Sequence, residues 1–576
     1  MIILAANLTN RFLGKWIKHI FCVAAFCAVN SWANAQSGYQ LEIIGDANDL
    51  LRKNKIDLKN LDSLGVQLLL KNRVDELRAE GYWLANIDGI EFDDHAAIVK
   101  LFLGQKHESI RVVDTNLDEG DSRKLSLSQR QLPTYYQSTE IQKLYLKLLS
   151  YYENNGYPFA KVKLDSFDVD RSGLFCQLIA DPGRMIRFDS VQINDAQLVN
   201  AKFISQYLGI SYDEAFSQKR VDEVGKRLSR LPFLQMEKEP EIYFGLQKAK
   251  VRLSLSKRKV NTFDGIVGLI PGAANRKPEL TGELNFELQN LFKAGKSFDF
   301  HWKKVTAKTQ QLDVNYEHPF ILGSPFYLQL SFNQLKENTT FSNRLFLLGL
   351  NYSLSTNTVL NLFYKNKNGN RLEDLAIDNG DFGLNNYGVG LEVNKLDNIQ
   401  VPKNGYISHI NAQIGLKTIA SSASNSQSKS DQYEFMADFA NYTPVGKSSV
   451  LYFKVSGGLL ENQNLFLNDL FRLGGLKTIR GFNQNFFYAS KYSLVNLEWQ
   501  IYLEANSYVF LFFDQAVLER EIYSGVVTDK PSGAGVGMKI NSNGGQFSII
   551  YGLGRSGNQG FSFDQSKIHF GYTAKF

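Results

Sequence analysis

Residues able to do covalent or metal chemistry are few in this 576-residue chain, and they are not grouped. The seven histidines are scattered without metal-ligand spacing, and there is no Cys-x-x-Cys, phosphate-binding loop or Gly-x-Ser-x-Gly elbow. Asp93-Asp94-His95 comes nearest to a constellation, and its composition is that of a polar hairpin turn. Gly552, Gly554 and Gly557 around Ser556 read as a strand end and a loop. No catalytic residue, metal site or cofactor is expected. The stretch that stands out runs from Phe471 to Phe482. Gly474, Gly475 and Gly481 mark backbone that turns tightly or passes close to a wall, and Arg480 sets a cation beside them.

The elements around that stretch alternate like sheet. Val495, Leu497, Trp499, Ile501 and Leu503 share one face, opposite Asn496, Glu498 and Gln500. Ala534, Val536, Met538 and Ile540 oppose Gly533, Gly535, Gly537 and Lys539, and Phe547, Ile549, Tyr551 and Leu553 repeat the pattern. One face in lipid and one in water gives this period of two. From Thr262 onward there are about 16 strand candidates in roughly 315 residues, which suits barrel strands of about ten residues with their connections. The last candidate places Ile568, Phe570, Tyr572, Ala574 and Phe576 on one face. A soluble sandwich also alternates; the polar second face, the lack of helical pattern and the leader described next favour a barrel. No stretch after the first forty residues has about 18 consecutive apolar residues, so no transmembrane helix is indicated, a test to which barrels are invisible.

At the amino end Lys15, Lys18 and His19 precede the apolar Ile20 to Val29, and Ala33-Asn34-Ala35 follows. That order is a secretory signal, with cleavage expected after Ala35. Phe26, standing where a lipoprotein needs a small residue, argues against lipidation at Cys27. Loss of Cys22 and Cys27 leaves Cys176 without a partner, so no disulfide framework is possible, and Cys176 reads as a small buried residue in a strand. A net charge of +6 with no dense basic run excludes nucleic acid as the expected partner.

Between the leader and the barrel, three segments share a period of about 75 residues. The first opens with Tyr39–Ile44, has helical spacing over Leu68–Ala79 stopping at Gly81, and continues with a strand from about Trp83 and another over Ala96–Phe102. The second opens at Ser109–Val113, has a helix from about Thr139 to Gly156, then Tyr157-Pro158-Phe159-Ala160, Lys161–Leu164 and Leu174–Ile179. The third opens at Ile186–Ile193, carries a helix near Val221–Leu231 and closes with Lys250–Leu255. The strand-helix-helix-strand-strand order and the Gly-Tyr step after the long helix resemble POTRA (polypeptide-transport-associated) domains. The implied division is a signal peptide at 1–35, POTRA-like modules at 36–107, 108–184 and 185–258, and an outer-membrane barrel at 259–576. The fold class is thus α+β repeats followed by an all-β barrel of about 16 antiparallel strands. In that family the modules lie in the periplasm and can bind extended chains by strand addition to an open sheet edge; acting as rigid spacers is the plainer alternative.

Placed between the eleventh and twelfth strand candidates, Arg480-Gly481-Phe482, preceded by Leu473-Gly474-Gly475, resembles the signature loop of the BamA/TamA-like outer-membrane assembly-factor superfamily. Phe263-Asp264-Gly265, Leu288–Phe292 with Gly295, and Pro319–Phe326 resemble its turns. The resemblance implies a loop folded back into the barrel, its arginine meeting an acidic residue on each of the next two strands, which here are Glu498 and Asp514. Asp514 lies in Phe-Phe-Asp-Gln-Ala, where Ala516 stands in place of the family's glycine. A confined guanidinium needs such carboxylates, and two facing carboxylates would repel without it. His569, Gly571, Ala574 and Phe576 resemble the outer-membrane assembly signal, with Ala574 a weaker apolar residue than usual. The resemblance also implies the partners: unfolded outer-membrane or secreted polypeptide, outer-membrane lipid, and periplasmic or inner-membrane accessory proteins. Three functions are open: insertion of other barrels through a weak seam between first and last strands, export of a partner by a two-partner-type secretion translocator, or a passive pore or surface antigen. Three modules without an obvious plug helix favour the first, and nothing favours an enzyme.

Overall fold

The computed structural model describes residues 40–44, 63–93, 96–125, 132–270, 279–304, 308–373, 378–399, 401–420, 427–542, 545–557 and 559–575. The expected leader at 1–35, most of the Asp93-Asp94-His95 turn and Phe576 lie outside them. The chain divides into two compact units, one of Met1–Leu149 with Lys161–Asp181 and one of Ser150–Ala160 with Pro182–Phe576.

The first unit holds two sheets. In one, Ala96–Phe102 lies between Gln40–Ile44, parallel to it, and Asn86–Phe92, antiparallel. The helix Ser63–Ala79 lays Val66, Leu70, Val74 and Leu77 on this sheet, the spacing of one helical face, against Ala97, Val99 and Leu101. It ends where Gly81 takes φ +107° and the amide of Tyr82 returns to the carbonyl of Leu77. The strand expected from Trp83 begins only at Asn86. Trp83 is buried instead, its indole N–H donating to the carbonyl of His107, and the Ala85 amide closes a turn onto Tyr82. The other sheet has the order Thr134–Gln137, Ser109–Thr115, Gly173–Asp181, Lys161–Asp170. Leu174, Cys176, Leu178 and Ala180 are its buried face, and burial pushes the Cys176 thiol up to about 12.

The second unit holds a third small sheet and the barrel. Lys248–Leu253 lies between Glu241–Phe244 and Arg187–Ile193. The single helix expected near Val221–Leu231 is two short ones, Gln218–Asp222 and Val224–Leu228, broken at Glu223, and a further helix, Ala201–Leu208, precedes them. Phe188, Phe203, Ile204, Phe216, Val224 and Val251 are among the residues of their shared core. That core reaches the barrel turns: Phe203 packs on Phe320 at 5.9 Å, and its ring occupies the space a Cβ on Gly295 would need, 2.1 Å away. The Asn200 amide donates to the Lys293 carbonyl (2.7 Å), the Asn290 amide group to the Leu198 carbonyl (2.8 Å), and Arg230 to Asn357 and the Asn394 carbonyl.

Seventeen strand segments close the barrel, but Gly525–Asp529 and Ser532–Asn541 both pair with Tyr508–Ile522 and are one strand interrupted at Lys530-Pro531, so the circuit has sixteen. It runs from Thr262–Ile270 to Lys567–Lys575, antiparallel throughout. Alternation holds: Leu497 and Trp499 are exposed on the outer face while Asn496 and Gln500 are buried inside. Ile568, Phe570 and Tyr572 of the last strand are likewise exposed. Among the described residues, no helix is long and apolar enough to cross a membrane.

Candidate functional site in the barrel lumen

The eleventh strand, Ser449–Glu461, and the twelfth, Lys491–Tyr502, are joined by residues 462–490, which fold into the lumen. The stretch expected to be all loop begins as a ribbon, Phe471–Leu473 paired with Phe487–Ala489. Beyond it Gly474 (φ +112°) and Gly475 (φ +91°) turn the chain, the Thr478 hydroxyl accepts the Gly474 amide (2.7 Å) and the Ile479 carbonyl accepts that of Gly475 (3.1 Å).

Those turns deliver Arg480 to the wall. Its Nε and Nη2 donate to Asp514 Oδ2 (2.9 Å) and Oδ1 (2.6 Å), its own amide donates to Asp514 Oδ2 (2.9 Å), and Nη1 donates to Glu498. The two-pronged pairing matches the planar fork of a guanidinium to a carboxylate. Glu498 is on the twelfth strand and Asp514 on the thirteenth, Tyr508–Ile522, so the structure brings together the arginine and the two acids expected from sequence. Asp514 is fully buried, Arg480 nearly so, and Glu498 is 14% exposed. The guanidinium also lies 3.9 Å from the Phe512 ring centroid, a cation–π contact. Asn496 links Asp514 Oδ1 (2.7 Å) to the Thr478 carbonyl (2.8 Å), and Gln500 holds the second oxygen of Glu498 (2.8 Å). The alternation of the strand places both on the inner face without indicating these partners.

Close approach explains the glycines. Gly481 has φ +90°, and a Cβ there would lie 2.5 Å from the Leu553 carbonyl, while one on Gly533 would lie 2.0 Å from the Arg480 carbonyl. Gly552 and Gly554 lie in the last four residues of the fifteenth strand, Gly545–Arg555, the strand end expected, and there a Cβ would strike Gly481 or Phe482. The fourteenth and fifteenth strands thus present a side-chain-free surface to the loop backbone. Phe482 is buried with Leu473, Ile479, Phe487 and Leu494, and Ala516, in place of the family's glycine, is accommodated in the same cluster at no exposure. Of the assembly-signal residues, Gly571 and His569 lie on the last strand, pairing with Ser548 and Ile550.

Sequence reasoning missed a second set of ties. Lys417 and Asp469 form an ion pair with both side chains wholly buried. Lys417 also donates to the Asn464 carbonyl (2.7 Å) and lies over the rings of Phe382 and Phe466. Asn468 exchanges hydrogen bonds with the backbone of Gly380, both 3.0 Å, and Arg472 reaches Glu337 (3.0 Å) and Tyr488 (2.7 Å). Lys417 faces inward in an alternating strand, which is visible in sequence; its partner, 52 residues away in an irregular segment, is not.

A closed sixteen-strand antiparallel cylinder, apolar outside and polar inside, with a segment clamped in its lumen, is an outer-membrane barrel. Residues 290–576 match the Omp85 superfamily domain. Solved structures of similar fold include CdiB from Escherichia coli (13% identity, 88% of this chain and 97% of that one, TM-score 0.57) and CdiB from Acinetobacter baumannii (13%, 89%, 99%, 0.54). BamA from Haemophilus ducreyi lacking POTRA domains 1-3 also matches (14%, 81%, 99%, 0.43). None of the curated proteins matches. The chain is a BamA/TamA-like member of the Omp85 superfamily, an outer-membrane β-barrel of the class concerned with protein insertion and transport.

Proposed function

We propose that the protein receives unfolded polypeptide on periplasmic POTRA-like modules at 36–107, 108–184 and 185–258, and inserts it into the outer membrane at the barrel seam. The observation that carries this reading is how little closes the cylinder. Among the described residues, first and last strands pair only at Thr262 with Lys575 and Phe263 with Ala574, whereas the ninth and tenth pair continuously from Gly405–Tyr442 to Ala420–Gln427. A short ladder leaves edge N–H and C=O groups able to template another strand. Arg480, Glu498 and Asp514 fix the loop so that the wall beside the seam keeps its shape while the seam opens.

Export through the lumen, as in a two-partner secretion translocator, is the second reading, and the polar inner face supports it. Purified full-length protein in liposomes tests both: faster folding of an added unfolded barrel supports insertion. Cysteines at Phe263 and Ala574, cross-linked, are expected to abolish that acceleration and reduction to restore it. Full activity of the cross-linked protein would overturn insertion at the seam, and protease-protected passage of a partner would then favour export.

A further inference from the structure

Residues 462–490 are fastened at two facing walls by different means. Arg480 and the glycine-to-glycine contact hold residues 478–482 to the twelfth to fifteenth strands. Residues 464–472 are held to the other side: Arg472 to Glu337 at the end of the fifth strand, Asn468 to Asn343 of the sixth, the Asp469 carbonyl to Lys367 of the seventh, and the Asp469 carboxylate to Lys417 of the ninth. These ties are polar; Leu465 and Leu470 of the same stretch also pack with Leu460 and Ile522, and Phe466 stacks on Phe382. The barrel end they occupy is opposite the turns at Lys293, Phe320, Asn357 and Asn394 that touch the third module.

Beneath the second fastening the lumen stays polar. Gly415 on the ninth strand stands between Asn386 and Gln432, with Gln413 two residues further from Lys417 on the same face. Asn386, Gln413 and Gln432 are each more than nine-tenths buried, and each has a side-chain oxygen, Gln413 its nitrogen too, without a protein hydrogen-bond partner among the described residues. A core would not hold three such amides in one patch; the wall of a wetted passage would.

We propose that Lys417 and Asp469 are a latch closing the end of the lumen away from the third module. Arg480 is the fixed hinge of the same segment, and release of the latch opens a polar passage lined by Asn386, Gln413 and Gln432. Lys417 is a positioning residue: its ammonium donates to one oxygen of the Asp469 carboxylate, which also accepts the Phe466 amide, and to the Asn464 carbonyl, so its departure removes both ties of the segment to the ninth strand. The inference rests on the barrel reading, and conductance tests it without requiring any insertion or export activity.

In planar bilayers, full-length protein carrying Lys417→Met or Asp469→Asn is expected to show several-fold higher mean conductance than the natural chain, while still migrating as a folded species in unboiled gels. A cysteine placed at Gln413, with Cys176→Ser, is expected to react with a membrane-impermeant maleimide at least tenfold faster once Lys417→Met is added. Folded variants that conduct and label like the natural chain would overturn the latch. Should both substitutions prevent folding, Asn343→Cys with Asn468→Cys in the natural background decides it: oxidation is expected to silence spontaneous openings and reduction to restore them, and openings unaffected by oxidation would overturn the proposal. Raised conductance in a protein that never accelerates barrel folding would sink the insertion reading and leave the latch standing.

Discussion

Asp514→Asn is the sharpest perturbation of the lumen clamp because it keeps the shape and removes the charge. Asp514 accepts four hydrogen bonds, two on each oxygen: from the Arg480 amide and Nε, and from Arg480 Nη2 and Asn496. An asparagine amide keeps one accepting oxygen, so two bonds are lost and an NH2 group is turned toward donors. A buried pair that loses one partner costs about 3–5 kcal/mol, here moderated by the remaining contact to Glu498. As the rest of the barrel does not depend on this contact, the cost falls on local opening of the loop, raising its open population roughly a hundredfold to a few thousandfold. Glu498→Gln, at a site 14% exposed and holding a single guanidinium nitrogen, is expected to cost only about 1.5 kcal/mol, roughly tenfold. Hydrogen exchange of the peptide covering residues 474–482 reads both, with unboiled gel migration as the check that the barrel persists. Equal acceleration in the two variants, or the larger effect in Glu498→Gln, would refute the assignment of Asp514 as the main partner.

The exchange Arg480→Asp with Asp514→Arg is expected to recover part of the insertion activity lost in either single change; no recovery would argue against direct pairing as the functional contact. Gly481→Ala puts a Cβ 2.5 Å from the Leu553 carbonyl at φ +90°, and is expected to speed exchange of the loop, whereas Gly557→Ala, whose nearest neighbour is Asp529 at 3.4 Å, is expected to change nothing. The Cys176 thiol, raised to about 12 by burial from an ordinary 9.0, is expected to resist alkylation at pH 8 until urea unfolds its module. The sign follows: the folded state keeps the thiol proton longer than the unfolded one, so this contribution is whole below about pH 9 and is lost, by about 1.4 kcal/mol per pH unit, as pH rises toward about 12. Thermal unfolding of Cys176→Ala should show that much less loss over the same range.

Barrel alternation was legible because a strand has a period of two and a bilayer enforces it: Val495 to Gln500 could be sorted into faces from residue type alone. The same rule gives direction without distance. It set Asn496 inward, yet its partner in the loop, 18 residues away, and the partner of the unread Lys417, 52 residues away, come from a segment with no periodicity. Gly552 and Gly554 read as a strand end, and the strand does end at Arg555; what their type does not show is that the absent side chain is the fit to Gly481. A strand was expected to open near Trp83, but Trp83 is buried, and its indole N–H donates to the His107 carbonyl, ahead of a strand that begins at Asn86. The third module's helix broke at Glu223, where helix propensity carries no signal, since glutamate is a good helix former.

The choice of fastening has its own logic. An apolar loop packed on an apolar wall could slide, since the hydrophobic effect is non-directional and many registers bury similar area. The glycine strip formed by Gly533, Gly552 and Gly554 is flat and by itself would not fix a register either. What selects one position is the bidentate geometry at Asp514, which a shift of one residue would destroy. The strip allows close approach, the arginine sets where it stops, and Phe482 in its pocket with Leu473 and Ile479 adds the area that holds it there. If the division of labour is right, Phe482→Ala should loosen the loop while leaving Arg480 paired. Arg480→Lys, which keeps the charge and loses the fork, should leave the loop packed in more than one register, visible as two exchange populations for residues 474–482. A single slow population in that variant would mean that the glycine strip and Phe482 suffice, and that the fork is dispensable for register.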